Sequence, residues 1–237
     1  MKYMFCMLFR EKEVFLYETD YFGGYKKRPQ VQAYIKMANE HLGAMGFTEH
    51  GVRHGSLVAS VARNILKELN YPKRTCELAA IAGYLHDIGN VVARTDHWQS
   101  SAILISQILT RMGMDFEEIA TIIGAVGNHD ERTGEAVNPV AAALIIADKG
   151  DVHRTRVRNR DFATFDIHDR VNYAVQQSKI IVNSQERTIT LDLEIDTKIC
   201  PIMEYFEIFL TRMLMSRRAA EVLGCTFRLI INDTKVL

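Results

Sequence analysis

Apolar residues recur at helical spacing through most of residues 31–150. One clear run begins at Leu57 and stops at Tyr71-Pro72, where proline ends the pattern. The next helix, which leads up to Leu85, is apolar on almost every side, as is a later helix that begins at Pro139. Helices of this kind are normally buried among others. The pattern predicts a bundle of five or more helices, with the remaining ones over about 98–112 and 115–127.

The pattern changes after about residue 160. Apolar β-branched runs and an alternating segment are typical of strands, and a long amphipathic run is typical of a helix. We expect strands over 180–182, 189–195 and 226–231, and a helix over 201–223.

The sequence therefore predicts a mainly α protein with a small C-terminal α+β appendage. Residues 31–160 would form the helical domain and residues 161–237 the α+β region. Residues 1–30 are treated as an N-terminal extension, in which Gly23-Gly24 and the basic residues that follow predict a loop over 23–29.

Composition excludes several classes of protein. The 237 residues include 29 basic and 29 acidic ones, so the formal charge is zero, which argues against a general nucleic-acid or membrane-surface binder. The four cysteines are far apart and form no C-x-x-C pair, which excludes a cysteine-built zinc site and indicates reduced thiols. No apolar run approaches the ~18 residues that span a bilayer. The opening apolar stretch stops at Arg10 without a cleavage site, so we expect a cytoplasmic protein without a signal peptide.

The positions of the histidines are informative. His54, His97 and His129 each lie at helical spacing from core residues, so their side chains are expected to point inward. His86-Asp87 ends the most apolar helix, and Asp148 ends the second most apolar one. An unpartnered buried carboxylate costs several kcal/mol, so both aspartates must be paired, hydrogen-bonded or bound to metal. Four imidazoles and two carboxylates are a ligand set that suits Zn, Mn, Fe or similar ions.

A competing interpretation exists at each position. A single inward histidine is more often a core residue than a ligand, and it is the joint occurrence on separate helices that favours a metal site. The remaining histidines lie in polar or glycine-bearing segments and are expected at the surface; they are His41, His50, His153 and His168.

The order His54, His86-Asp87-Ile88-Gly89, Asp148 resembles the HD superfamily of metal-dependent phosphohydrolases, over roughly residues 31–155. The resemblance implies an HD-type helical bundle. It also implies that His54, His86, Asp87 and Asp148 hold a first metal, and that His97 and His129 complete a second site with Asp87 as a bridge. One or two ions of Mn, Fe, Zn, Co or Ni are the expected cofactors.

The sequence also departs from parts of that family. Dinuclear relatives often have two adjacent histidines where this chain has Asn128-His129, which weakens the case for a full second site. The lysine that often follows His-Asp-Ile-Gly is replaced by Asn90. The acidic pair of guanosine-tetraphosphate hydrolases and the Gly-Tyr-Pro motif of cyclic-dinucleotide enzymes are missing from the corresponding places.

A phosphate contact must therefore come from elsewhere. Residues 149–160 hold several basic side chains directly after Asp148, and Lys149 and Arg154 lie closest to the expected site, with Arg53 beside His54 as a third candidate. The alternative is a solvated stretch whose arginines pair with nearby acids.

The implied mechanism is attack on phosphorus by a metal-activated water, with Asp87 as the catalytic residue that steers the water or its proton. Asp130-Glu131 could accept a proton but is expected to be a surface loop. The expected substrate is a small phosphate ester or anhydride, such as a nucleotide, with no membrane partner. Two alternatives stay open: a di-iron HD-type oxygenase, and a non-catalytic HD regulatory or binding module. The sequence also leaves open whether the chain is a homo-oligomer.

Overall fold

The computed structural model describes residues 21–237, and side chains from Gly24 onward. It is mainly helical with a small C-terminal sheet, which confirms the predicted fold class. The helices are α1 Tyr21–Lys26, α2 Pro29–Ala44, α3 Val52–Glu68, α4 Lys73–Leu85, α5 His97–Arg111, α6 Phe116–Gly127, α7 Pro139–Lys149, α8 Ile167–Ala174 and α9 Ile202–Val222. The strands are β1 Val175–Asn183, β2 Thr188–Ile195, β3 Thr226–Ile231 and β4 Thr234–Lys235. Short 3₁₀ turns lie at Ile88–Val91, Arg154–Arg156 and Phe162–Thr164.

Helices α3, α4 and α7 pack against one another at the centre of the bundle. The most apolar helices, α4 and α7, are buried on nearly all sides, as their composition predicts. Close packing of α3 on α4 requires a glycine, because a Cβ at Gly83 would lie 2.8 Å from the Cα of Ala59. This approach brings the beginning of α3 next to the end of α4.

The turn after α4 is fixed against α5 by a second close approach. A Cβ at Gly89 would lie 2.2 Å from the carbonyl oxygen of His97 and 2.4 Å from the amide nitrogen of Ser101, so only glycine fits. The Gly89 amide also donates to the Ser101 hydroxyl, over 2.8 Å. These contacts hold the first turn of α5 beside Asp87.

The C-terminal sheet has the order β1-β2-β3-β4. β1 and β2 form an antiparallel hairpin, β2 and β3 are parallel and connected through α9, and β4 pairs antiparallel with β3. Helix α9 contacts α7 as well as β2 and β3, so it joins the sheet to the bundle. The Ser178 hydroxyl donates to the Gly150 carbonyl over 2.6 Å, which ties β1 to the end of α7. The C-terminal region therefore packs on the end of the bundle where Asp148 lies.

Some expectations differ from the structure. The loop predicted over 23–29 is largely helical: α1 ends at Lys26 and α2 begins at Pro29, because Tyr25 is buried in the core. Helix α8, which Asp166 caps, was not predicted. The predicted apolar opening stretch and Cys6 lie outside the described residues. Cys76, Cys200 and Cys225 are free and buried. Within residues 21–237, none of the helices has both the length and the apolarity that crossing a bilayer requires.

Candidate metal centre

Helix ends bring six predicted ligands to one buried place. His54 lies in the first turn of α3 and Asp148 in the last turn of α7. His86 and Asp87 follow α4, His97 begins α5, and His129 follows the end of α6. All six side chains are buried: His54, His86, Asp87, His97, His129 and Asp148.

The ligand atoms form two overlapping groups. In the first, the Nε2 atoms of His54 and His86 are 3.2 Å apart, and they lie 3.3 and 3.6 Å from Asp148 Oδ1. In the second, Asp87 Oδ2 is 3.3 Å from His86 Nε2, while Asp87 Oδ1 is 3.2 Å from His97 Nε2 and 3.9 Å from His129 Nε2. The two oxygens of Asp87 therefore face different histidines, which is the arrangement that a carboxylate bridge between two ions needs.

The four imidazoles share one orientation, in which Nδ1 is hydrogen-bonded and Nε2 faces the centre. Three of these partners are backbone carbonyls, which can only accept, so Nδ1 carries the hydrogen and, in the neutral imidazole, Nε2 carries the lone pair. Metal-binding histidines are typically fixed in this way. The Nδ1 partners are Gly83 O for His86 at 2.9 Å, Arg94 O for His97 at 3.1 Å, Val126 O for His129 at 2.6 Å and Asp151 Oδ2 for His54 at 2.6 Å.

The electrostatics of the centre favour a cation. Lone pairs facing each other at 3.2 Å repel unless a proton or metal ion lies between them. Burial by itself would lower the pKa of His86, but Asp87 and Asp148 outweigh it and raise that pKa to about 10. Burial, with His86 and Lys149 nearby, lowers the pKa of His129 to about 3. Imidazole nitrogens and carboxylate oxygens in this arrangement fit Mn, Fe, Zn, Co or Ni.

Comparison with known families bears on this arrangement. Residues 51–152 match the model of the HD domain family, and all six of these histidines and aspartates lie within the match. This stretch, somewhat less than half of the chain, is therefore similar to an HD domain. HD domains belong to a superfamily of metal-dependent phosphohydrolases whose members bind divalent metals, although some HD proteins are not hydrolases.

One curated relative is also similar to part of this chain. The uncharacterized protein MJ1020 of Methanocaldococcus jannaschii is 28% identical over 155 residues, which cover 56% of this chain and 59% of the relative. The chain thus spans less than two thirds of the relative's length.

We call the six histidines and aspartates that match the HD family the HD centre. Asp151, which the sequence analysis did not single out as a site residue, contacts this centre through His54. Its carboxylate accepts from His54 Nδ1 and from Arg53 Nη2 at 2.9 Å, and Arg156 lies near the same oxygen at 3.7 Å. Burial alone would raise the pKa of Asp151, but Arg156 and His54 hold it well below its usual value. Asp151 lies two residues beyond the end of α7, so no helical spacing marks it in the sequence.

A chain of charges leads outward from Asp148. Lys149 Nζ is 2.7 Å from Asp148 Oδ2 and 2.8 Å from Glu131 Oε2, and Arg212 Nε is 3.4 Å from Glu131 Oε1. The expectation that Asp130-Glu131 is a surface loop was wrong. Asp130 is buried and accepts from Arg132, and Glu131 is half-buried because Lys149 and Arg212 neutralise it.

The predicted phosphate contacts lie in three different surroundings. Lys149 lines a small polar cavity that also borders Asp87 and Asp148. Arg53 pairs with Glu49 and Asp151, on the side of His54 that faces away from Nε2. Arg154 stacks over the ring of Tyr173, with its Cζ 5.3 Å from the ring centre. The structure brings Lys149 to the centre, but not the two arginines.

Two of the histidines expected at the surface belong near the site. His50 is half-buried and bonded to Arg156 over 3.0 Å, and burial followed by Arg156 lowers its pKa well below the usual value. His168 is exposed, as expected, but lines a second, larger cavity next to the site. His41 is exposed, and His153 is half-buried with Nε2 3.0 Å from the Gln176 carbonyl.

Two adjoining cavities open from the HD centre. The inner one is polar and is bordered by four of the six predicted ligands, Asp87, His97, His129 and Asp148. The outer one has a volume of about 310 Å³ and lies between the HD domain and helices α8 and α9. Five residues line both cavities: His50, Arg94, Glu131, Arg156 and Arg212.

Proposed function

We propose that this protein is a metal-dependent phosphohydrolase that cleaves a phosphate ester of a small molecule, such as a nucleotide. The observation that carries the proposal is that the Nδ1 atoms of all four histidines are held by hydrogen bonds, so that all four Nε2 atoms face Asp87 and Asp148 and are available to a metal ion. The match of residues 51–152 to the HD domain model supports the same chemistry.

The chain's own residues have distinct tasks in this proposal. His54, His86, Asp87 and Asp148 would hold one ion, and His97 and His129 would add a second one across Asp87. A divalent metal held here supplies Lewis acidity toward a phosphoryl oxygen and toward water. Burial of the ligands excludes bulk water and strengthens each electrostatic contact. Lys149 adds a fixed positive charge beside Asp148.

Asp87 is the proposed catalytic residue. Asn90 Nδ2 donates to Asp87 Oδ1 over 3.0 Å and to the Asp87 carbonyl over 2.9 Å, so the carboxylate is held in one orientation. Burial favours the neutral acid, but His86 and His97 keep the pKa of Asp87 well below its usual value. The ionised carboxylate can therefore accept a hydrogen bond from the attacking water.

A di-iron oxygenase remains the second candidate, and a specific observation favours it: Asp87 presents one oxygen to each half of a six-ligand set. A regulatory module is the third candidate, and the buried, fully oriented ligand set counts against it.

The first experiment measures metal content in protein purified without chelator or affinity-tag metal. We expect one or two equivalents of a transition metal in the wild type, and none in the His86→Ala/Asp87→Ala variant. His41→Ala is the matched control, because His41 is exposed. A metal-free wild type that takes up no Mn, Fe or Zn contradicts the proposal and favours the regulatory module.

The second experiment tests the reaction. Metal-loaded protein is assayed for phosphate release from a panel of phosphomonoesters, phosphodiesters and nucleoside triphosphates, and for oxygen consumption with Fe(II). Phosphate release that disappears in the double variant supports the hydrolase. Oxygen consumption without phosphate release supports the oxygenase instead.

A further inference from the structure

We propose that Arg94 and Arg212 together bind the substrate phosphate, so that the C-terminal helix α9 completes the active site of the HD domain. The inference rests on the proposed hydrolase function for the identity of the ligand, and on the structure for the choice of residues. Arg212 lies outside the residues that match the HD family. The proposal also replaces Arg53 and Arg154, which the sequence analysis favoured.

Three arginines border both cavities, but one of them is already committed. Arg156 is buried and donates to the carbonyls of Asp151 and Glu49, and its Nη2 lies 3.0 Å from His50 Nε2. With these partners Arg156 holds the loop before α3 and has little capacity left for a ligand.

Arg94 and Arg212 are held mainly by stacking, which leaves most N–H groups free for a ligand. The Arg94 Cζ lies 5.2 Å from the ring centre of Phe47, and the Arg212 Cζ lies 4.6 Å from that of Phe209. In the described part of the chain, each guanidinium makes one weak polar contact of 3.4 Å: Arg94 Nη1 with Asn90 and Arg212 Nε with Glu131. A stacked guanidinium presents its planar edge, which matches two phosphate oxygens.

The basic residues favoured by the sequence either have their N–H donors engaged by carboxylates or lie away from the two cavities. Lys149 is closed between Asp148 and Glu131, at 2.7 and 2.8 Å. Arg53 is bound to Glu49 and Asp151. Arg154 lines neither cavity, so among the described residues that border the inner cavity Arg94 and Arg212 are the cations with donors to offer.

The outer cavity indicates the rest of the substrate. Its volume of about 310 Å³ is at the low end for small-molecule sites, which suits a compact organic group and not a polymer. Asp166, Asp169 and Asn172 line it together with Phe47 and Phe209. Carboxylates accept hydrogen bonds from hydroxyl and amino groups. We therefore infer a phosphomonoester of a small compound that carries such donors, as a nucleoside or a sugar does.

The test measures binding of inorganic phosphate to the metal-loaded protein by isothermal titration calorimetry. Arg94→Gln and Arg212→Gln are compared with Arg217→Gln, an exposed arginine on the same helix as Arg212. We expect each of the first two changes to weaken binding at least about tenfold, because each removes a charge-assisted contact. The control should bind as the wild type does, and the metal content should be the same in all four proteins.

The result also separates this inference from the proposed function. Wild-type affinity in both Arg94→Gln and Arg212→Gln overturns the inference, while phosphate release by those variants would leave the hydrolase proposal standing. Arginine-dependent phosphate binding without any phosphate release supports the inference and contradicts the hydrolase. Loss of metal from Arg212→Gln would assign Arg212 to the support of Glu131 and overturn its role in binding phosphate.

Discussion

The two halves of the HD centre are held in different ways. In the first half, His54 is tied through Asp151 to Arg53 and Arg156, which connects α3 with the segment after α7. In the second half, the Nδ1 atoms of His97 and His129 bond to carbonyls only three residues earlier in the chain. His54 in the first half is therefore fixed by contacts between distant segments, whereas His86, His97 and His129 each bond to a carbonyl three residues earlier.

This difference predicts how tightly each half of the centre binds a metal ion. A side chain whose ring is bonded to a distant segment resists displacement more than one whose ring is bonded only within its own turn. We expect the first half to bind an ion tightly and the second half to bind one more weakly. Asn128 stands where dinuclear relatives often have a second histidine. Its amide donates to the Gly124 carbonyl in α6, so it adds no imidazole ligand to the second half.

The largest effect is expected from His54→Ala. Its Nε2 belongs to the first group, so its loss should remove the tightly held ion and reduce activity by about 10³-fold, equivalent to about 4 kcal/mol of transition-state stabilisation. His97→Ala should retain at least one ion and a larger share of the activity. Elemental analysis and initial rates measure both. Loss of all metal from His97→Ala, with metal retained in His54→Ala, would reverse the comparison.

Gly89→Ala should destabilise the second half by changing its packing. The new Cβ would meet the backbone of His97 and Ser101 at 2.2–2.4 Å, and backbone atoms cannot move aside as a flexible side chain does. We expect a loss of about 1–3 kcal/mol in the free energy of unfolding, measured with urea. The control is Gly124→Ala within α6, where the nearest atom is 3.9 Å away and alanine should stabilise the helix by about 0.5–1 kcal/mol. Equal stability of the two variants would show that α5 adjusts freely.

Asp151→Asn tests the long-range support of the first half. The amide keeps the shape but loses the charge that orients His54 and binds Arg53, so metal affinity should fall about 10–100-fold. Competition with a chelator of known affinity measures the change. Asp115→Asn is the control, because Asp115 is an exposed cap of α6 where asparagine serves equally well. Unchanged affinity in Asp151→Asn would mean that Asp151 does not support the centre.

The smallest effect is expected from Arg53→Gln. The Arg53 side chain is 36% exposed, and Arg156 still faces Asp151 when Arg53 is removed. A pair this exposed contributes about 1 kcal/mol or less, so metal affinity should change less than about fivefold. The KM for a phosphomonoester should stay the same. A tenfold increase in KM would instead support the phosphate contact that the sequence analysis assigned to Arg53.

Much of the helical core could be predicted because its apolar residues repeat with the helical period. The bounds of α5, α6 and α7 agree with the predicted ones to within about one residue. The region around Gly23-Gly24 could not be predicted, since its composition is typical of a loop and the burial of Tyr25 depends on distant residues. The short helix α8 carries too few apolar residues to show a period.

The six predicted metal ligands could be found because each lies in, or within two residues of the end of, a helix whose apolar residues repeat with the helical period. Residues that act through distant contacts could not be found in the same way. Glu131 pairs with Arg212, 81 positions later, and His54 bonds to Asp151, 97 positions later. No local pattern marks such partners, because their burial and their charges are balanced only in the folded chain.

The packing of α9 against α7 has an evolutionary consequence. The ligands that hold metal lie in one stretch of the chain, while Arg212 and most of the outer cavity's polar residues lie in another. If the outer cavity holds the substrate as proposed, substitutions in α8 and α9 change which molecule is recognised without altering the metal ligands. A homologue that keeps the histidines and aspartates but carries a different C-terminal region should be assigned a substrate from that region, and not from the motif that names its family.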